Sequence, residues 1–153
     1  MRIALGSDSA GAPLIVVIAQ HLQHIGHEVS DLSQAADAGE ELYADVAERV
    51  AHRILAGEFE RGILCCGTGI GVAISANKIP GIRAAQAHDT YSAQRAALSN
   101  NAQIITMGAR VIGPELAKSI VDAWLAEQFD PQGRSAPNVR GIDALDEKYA
   151  RVK

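Results

Sequence analysis

Short apolar runs alternate with longer amphipathic stretches along the whole chain. Arg2–Asp8 reads as a strand, and Pro13–Ile25 as a helix with its apolar positions on one side. His27–Leu32 is strand-like, and Glu40–Ala56 has helical periodicity. Gly62–Cys66 is the third apolar strand, followed by a helix near Gly71–Lys78. Arg83–Ala87 and Gln103–Met107 read as strands, Thr90–Leu98 and Pro114–Gln128 as helices, the latter with Pro in its first turn. A last short helix fits Val139–Tyr149. Five brief strands separated by helices predict an α/β, three-layer Rossmann-like fold. Its five-stranded parallel sheet is covered by helices on both faces, in one domain over 1–153. Crossovers in such a sheet are right-handed, and ligands bind outside the carboxyl ends of the strands. That rule gathers Asp8, Cys66, His88 and Gly108 at one edge.

Composition narrows the function classes. Of 153 residues, 48% are hydrophobic and 21% charged, enough for a packed core and too apolar for a disordered chain. The net charge of −4 comes without a basic stripe, which argues against nucleic acid as a partner. Apolar stretches such as Leu14–Ala19 are too short to span a membrane. Met1–Gly6 passes straight into strand-like sequence, so a cytoplasmic location is expected. The two cysteines, Cys65 and Cys66, are adjacent and cannot build a disulfide framework. On a strand they point to opposite faces. Cys66 abuts the glycine turn and is expected to be the exposed thiol, with Cys65 buried.

The segment Cys66-Gly67-Thr68-Gly69-Ile70-Gly71 carries the most chemistry. It sets a thiol at a strand end against a glycine-rich turn that opens a helix. Unpaired N–H groups and the positive end of the helix dipole make such a turn suited to anions. The same environment can lower a thiol's pKa from about 8.5 and make a base available near neutrality. A plain tight turn needing glycine is the alternative, but three glycines in five residues exceed that need. The spacing is not G-x-G-x-x-G, and no G-K-[ST] ending follows, so neither a dinucleotide fingerprint nor a Walker loop is present.

Other candidates each have an ordinary structural explanation beside a functional one. Asp8, in Gly6-Ser7-Asp8-Ser9-Ala10-Gly11, can cap the next helix or accept hydrogen bonds from sugar hydroxyls. His88 ends a strand in the presumed cleft, while Asp89 suits the N-cap of the helix at Thr90. His21, His24 and His27 recur every third residue, but Gly26 breaks the helix and no second ligand cluster accompanies them, so no metal site is expected. Arg110 and Arg134 are suited to gripping phosphate through a planar guanidinium.

Together these motifs resemble the type B ribose-5-phosphate isomerases, a family that includes the galactose-6-phosphate isomerase subunits. The likeness covers Ile3 to about Leu145. It rests on G-S-D-x-A-G (6–11), C-G-T-G-I-G (66–71), A-N-K (76–78), G-I-R-A (81–84), H-D-T-Y-S-A (88–93), M-G-A-R-V-I-G (107–113) and A-K-x-I-V-D-A-W-L (117–125). The resemblance implies an aldose–ketose isomerase of sugar phosphates that needs no metal or other cofactor. It implies homodimers, or pairs of dimers, with active sites shared between subunits and the C-terminal segment from about residue 130 against a partner. In this reading Cys66 is the base, working through a cis-enediolate. Some members use a glutamate further along the turn, which Val72 excludes here. Gly67, Gly69, Ile70 and Gly71 belong to the anion hole, and Thr68 assists proton movement at the oxygens. Asp8 binds a substrate hydroxyl, Asn100 lies near the reacting end, and Arg110 and Arg134 hold phosphate.

The departures from the family pattern bear on the substrate. Asp-His becomes Asp8-Ser9. His-Asn becomes Ser99-Asn100, which removes the histidine assigned to ring opening. Arg-His-x-x-Arg becomes Arg134-Ser135-Ala136-Pro137-Asn138, with Arg140 nearby in a different register. A tetrose 4-phosphate cannot close the furanose ring and needs no ring opener. The expected reaction is therefore D-erythrulose 4-phosphate to D-erythrose 4-phosphate. Ribose 5-phosphate is the alternative if His88 opens the ring from another direction. A non-catalytic sugar-phosphate-binding subunit is the remaining one.

Overall fold

The computed structural model describes residues 1–34 and 41–150. Five strands, β1 (Arg2–Ser7), β2 (Glu28–Asp31), β3 (Arg61–Cys66), β4 (Ala84–Gln86) and β5 (Ile104–Gly108), pair in parallel in the order β2-β1-β3-β5-β4. Between them run α1 (Ala12–His24), α2 (Tyr43–Leu55), α3 (Ile70–Ala76) and α4 (Thr90–Asn100). After β5 come α5 (Pro114–Leu125) and α6 (Ala136–Ala150). This is the α/β, Rossmann-like sheet that the alternating pattern predicts. From β1 the chain turns to one side for β2 and then to the other for β3. The loops after β1 and β3 therefore diverge and leave a crevice at the carboxyl edge, flanked by Asp8 and Cys66.

Alternation along each strand builds two cores. Ile3, Leu5, Ile63, Cys65, Ile105 and Met107 face α1, α4 and α5. Ala4, Leu64, Cys66 and Ile104 face α2 and α3, where Val46, Val50, Ile54 and Val72 cover them. Trp124 is fully buried at the far end of the first core. The Arg61 guanidinium lies over its ring at 4.8 Å and donates to the Trp124 carbonyl at 2.6 Å.

Several boundaries differ from the expected ones for local reasons. Helix α4 continues past Leu98 to Asn100, because Asn101 takes the left-handed conformation (φ 46°) and ends it there. Helix α5 stops at Leu125, short of Gln128. Helix α6 begins at Ala136 with Pro137 in its first turn, earlier than Val139. The start expected for α2 at Glu40 lies outside the described residues. Strand β4 is short because a side chain substitutes for a neighbouring strand: the Asn77 amide accepts from Ala84 N–H and donates to Ala84 C=O, both at 2.8 Å. Among the described residues no helix is long and apolar enough to cross a membrane.

The β1–α1 turn lies directly on the backbone of β3. A Cβ added at Gly11 would sit 2.2 Å from the Cys65 carbonyl oxygen. Gly11→Ala must therefore push the turn off the strand and is expected to cost about 1–3 kcal/mol. Urea denaturation measures this, and an unchanged midpoint would contradict the close contact.

Candidate active site

Strand β3 delivers Cys66 to the sheet's carboxyl edge, and the chain then crosses onto β5. A Cβ at Gly69 would come within 2.8 Å of the Met107 carbonyl carbon, and one at Gly108 within 2.6 Å of Thr68 backbone. Gly69 adopts φ 76°, a conformation costly for any residue with a side chain. Four consecutive carbonyls of the turn are tied down. Cys66 C=O accepts from Ala109 N–H at 2.9 Å, and Gly67 C=O from Arg110 N–H at 3.0 Å. Thr68 C=O accepts from the Gln86 amide at 2.8 Å, and Gly69 C=O from the buried Thr106 hydroxyl at 2.7 Å.

With the carbonyls withdrawn, the amides define the turn's free surface. Gly69 N–H donates to Cys66 Sγ at 3.1 Å, and Ile70 N–H to Thr68 Oγ1 at 3.3 Å. The N–H groups of Gly67, Thr68 and Gly71 have no hydrogen-bond partner among the described residues. The turn is thus a donor-rich concavity at the positive end of α3, beside a sulfur. The exposed thiol expected at Cys66 needs correction. Only 5% of this residue is exposed, because α2 and α3 close over its face of the sheet. Cys65 is completely buried on the other face. Burial, then the charges of Cys66 and Asp8, push its thiol far above its ordinary range, which leaves it no role as a base.

Around this turn the structure gathers Asp8, Ser9, His88 and Arg110. Asp8 and Ser9 line a cavity of about 490 Å³ with Ser7, Ser33 and Tyr43; Cys66 does not line it. Asp8 also serves the structural role, because its Oδ1 accepts Gly11 N–H at 2.9 Å. The Arg110 guanidinium covers Gly67, with Nη1 3.3 Å from where a Cβ would stand. His88 does not present both ring nitrogens to the cleft. Its Nε2 accepts Gly108 N–H at 2.9 Å, which makes it a clamp on the end of β5 beside Cys66. Asp89 caps α4 through Ser92, and the Ser92 N–H and hydroxyl hold its carboxyl below the usual range.

Tyr43 is the residue that sequence reasoning missed. Its ring lies 2.8 Å from where a Gly71 Cβ would stand, so it forms a wall shared by the cavity and the glycine turn. Within the apolar periodicity of α2 it looked like one more helical position. No spacing rule connects it to Gly71.

Ser99, Asn100, Arg134 and Asn138 are not in this group. Helix α4 starts at the carboxyl edge and ends at the amino edge, where Gln103 C=O accepts Gly62 N–H at 2.8 Å. From Gly62 to Cys66 is four strand steps, roughly 13 Å. Asn100 lines a cavity with Asn77, Arg83 and Asp146. Ser99 accepts a hydrogen bond from Arg95, and Arg95 shares another cavity with Arg134. Asn138 lies exposed on α6. The three spaced histidines are also separated in role: His21 Nε2 is 2.7 Å from Asp122, and His27 Nδ1 is 3.2 Å from the N-terminal amine.

This geometry matches that of known proteins over almost its whole length. Residues 3–142 match the family described as Ribose/Galactose Isomerase. The chain belongs to that family. The D-erythrulose-4-phosphate isomerase of Pectobacterium atrosepticum is 56% identical over 142 residues, 93% of each protein. The ribose-5-P isomerase B of Listeria innocua is 47% identical over 148 residues, 97% of this chain and 99% of the relative. Among solved structures, Clostridium thermocellum ribose-5-phosphate isomerase B superposes with a TM-score of 0.90 at 42% identity, covering 97% of this chain and 99% of that one. The chain is a sugar-phosphate aldose–ketose isomerase.

The clamp formed by His88 is directly testable. His88→Ala leaves the buried Gly108 N–H without an acceptor and is expected to destabilise the isomerase by about 1–3 kcal/mol. His88→Gln, whose side-chain carbonyl can still accept, should recover part of that loss in chemical denaturation. Equal stability of all three proteins would remove the structural role.

Proposed function

We propose that this isomerase interconverts D-erythrulose 4-phosphate and D-erythrose 4-phosphate, with Cys66 as the base. The supporting observation is the sulfur held against the amides of the Gly67–Gly71 turn, where four carbonyls are tied back. From the ketose, the Cys66 thiolate takes a proton from C1. Charge moves onto the C2 oxygen, giving a cis-enediolate that the N–H groups of the turn stabilise as it forms. Thr68 Oγ1, already beside the Ile70 amide, passes a proton from the C1 oxygen to the C2 oxygen. Cys66 returns its proton to C2, completing the aldose with no net change in the protein.

Two features favour a substrate that is already open-chain. The side chain at position 99 is a serine bound to Arg95, so no imidazole acts there. His88 spends its Nε2 lone pair on Gly108, which removes the nitrogen that would accept a ring hydroxyl's proton. The 56% identity to a protein named D-erythrulose-4-phosphate isomerase points the same way.

A complete site needs a second copy of the chain. Cys66 lies at one edge of the sheet, while Asn100, Arg134 and Asn138 lie toward the other. In a two-fold dimer the amino edge of one protomer, with its α5–α6 connection and α6, approaches the carboxyl edge of its partner, so that Arg134 of one copy reaches the phosphate of a substrate held at the Cys66 and Arg110 of the other. The exposed Ile70 and Ile74 of α3, with Tyr43, are the apolar surface such an approach would cover.

Side-by-side steady-state kinetics test the substrate. The expected result is kcat/KM at least tenfold higher for D-erythrulose 4-phosphate; a higher value for ribose 5-phosphate would assign the chain to that sugar. Cys66→Ala is expected to lower turnover about 10²- to 10⁴-fold with KM little changed. It should also stop exchange of the substrate's C1 proton with deuterated solvent. Binding of sugar phosphate by the wild type without any such exchange would mark a non-catalytic subunit.

A further inference from the structure

We infer that Arg95 is a further phosphate-gripping residue beyond Arg110 and Arg134, acting beside Arg134 on the phosphate of the substrate. The inference rests on the shared-site reading above. Arg95, Leu98 and Ser99 occupy one face of α4, three and four residues apart. They turn toward the connection between α5 and α6. Arg95 and Arg134 line a single cavity of about 170 Å³ with Gly133 and Ser135, room for a phosphoryl group.

The charges in this cavity are unbalanced. Among the described residues neither guanidinium forms an ion pair, although six other basic side chains do. Asp130 is the one carboxylate lining the cavity, and its Oδ1 is taken by Gln132 N–H at 2.9 Å. Two guanidinium groups against the single Asp130 carboxylate leave an excess positive charge in a small cavity, which a bound anion would offset. Arg95 is also not free to swing away, because its Nη2 donates to Ser99 Oγ. A planar donor fixed in this way is set up for bidentate capture of a phosphate dianion, which a lysine's point charge cannot reproduce. Ser99 thereby becomes a positioning residue: it fixes the guanidinium, and its own hydroxyl hydrogen remains to donate.

Arg95 offers its guanidinium from α4, where Asn138 on α6 offers none. The grip is thereby placed on α4 beside Arg134.

The test uses competition by inorganic phosphate, measured with whichever sugar phosphate the wild-type enzyme turns over. It therefore stands even if the tetrose assignment fails. Arg95→Leu is expected to raise KM and the phosphate inhibition constant about tenfold or more, with kcat little changed. Arg95→Lys should restore only part of the loss. Ser99→Ala should show a smaller rise in the same two constants. Circular dichroism melting of each variant separates loss of grip from loss of fold, because a purely structural Arg95 would lower the melting temperature and leave the phosphate constant of the folded fraction unchanged. An unchanged phosphate constant in Arg95→Leu would overturn the inference. So would wild-type inhibition by phosphate that is not competitive with substrate, and that second result would also count against a shared site.

Discussion

The structure depends on one backbone-to-backbone contact. The Gly67–Gly69 turn lies on Met107 and Gly108 with no room for a single added carbon. That contact is made by peptide groups rather than side chains, so it fixes direction as well as distance. Carbonyls of the turn point into β5 and its neighbours, and the amides are left on the outer side. A donor cradle built this way needs no reorganisation when negative charge develops in it, and such preorganisation is a major source of catalytic power. His88 and Thr106 reinforce the contact from below, one through Gly108 N–H and the other through Gly69 C=O.

The burial of Cys66 fits this design. A thiol on an open surface would exchange its single directed donor for water. At 5% exposure, under α2 and α3, Sγ keeps the Gly69 N–H and stays in line with the turn. The neighbouring Cys65 shows how much the face matters. One residue earlier on the same strand, Cys65 points into the other core, where burial and then the charges of Cys66 and Asp8 push its thiol far up. Parallel strand order then sets what a single chain can assemble. Helices return the chain to the amino edge, so residues at helix ends are about a strand length from residues at strand ends.

Much of this was legible in the residue pattern. Alternating short apolar and longer amphipathic runs were enough for the parallel sheet, and the strand-end rule gathered Asp8, Cys66, His88 and Gly108. The histidine clamp was not legible, because a hydrogen bond from a main-chain amide leaves no spacing signal. Tyr43 was missed for a related reason. Its contact is with a glycine far along the chain, and glycine contacts have no partner side chain to co-pattern with. Arg95 is hidden by its surroundings in sequence, since an arginine on a mostly polar helix face reads as solvated until Arg134 is placed beside it. The exposure expected of Cys66 failed because α2 and α3 close over its face of the sheet, a packing that no local spacing around the turn announces.

The central claim is that Cys66 and Arg134 serve one substrate from different copies of the chain. Mixing two variants, each assayed at substrate well below KM where both are impaired, tests it most directly. Cys66→Ala and Arg134→Ala, carrying different tags, are unfolded, combined and refolded, and doubly tagged dimers are recovered. If the halves are shared across the interface, each mixed dimer holds one intact site. The unsorted mixture should then regain about a quarter of wild-type activity, because half of randomly paired dimers are mixed and each has one of its two sites intact. If Cys66 and Arg134 serve one substrate from the same chain, mixed dimers contain no intact site. Doubly tagged dimers as inactive as their parents would contradict the account.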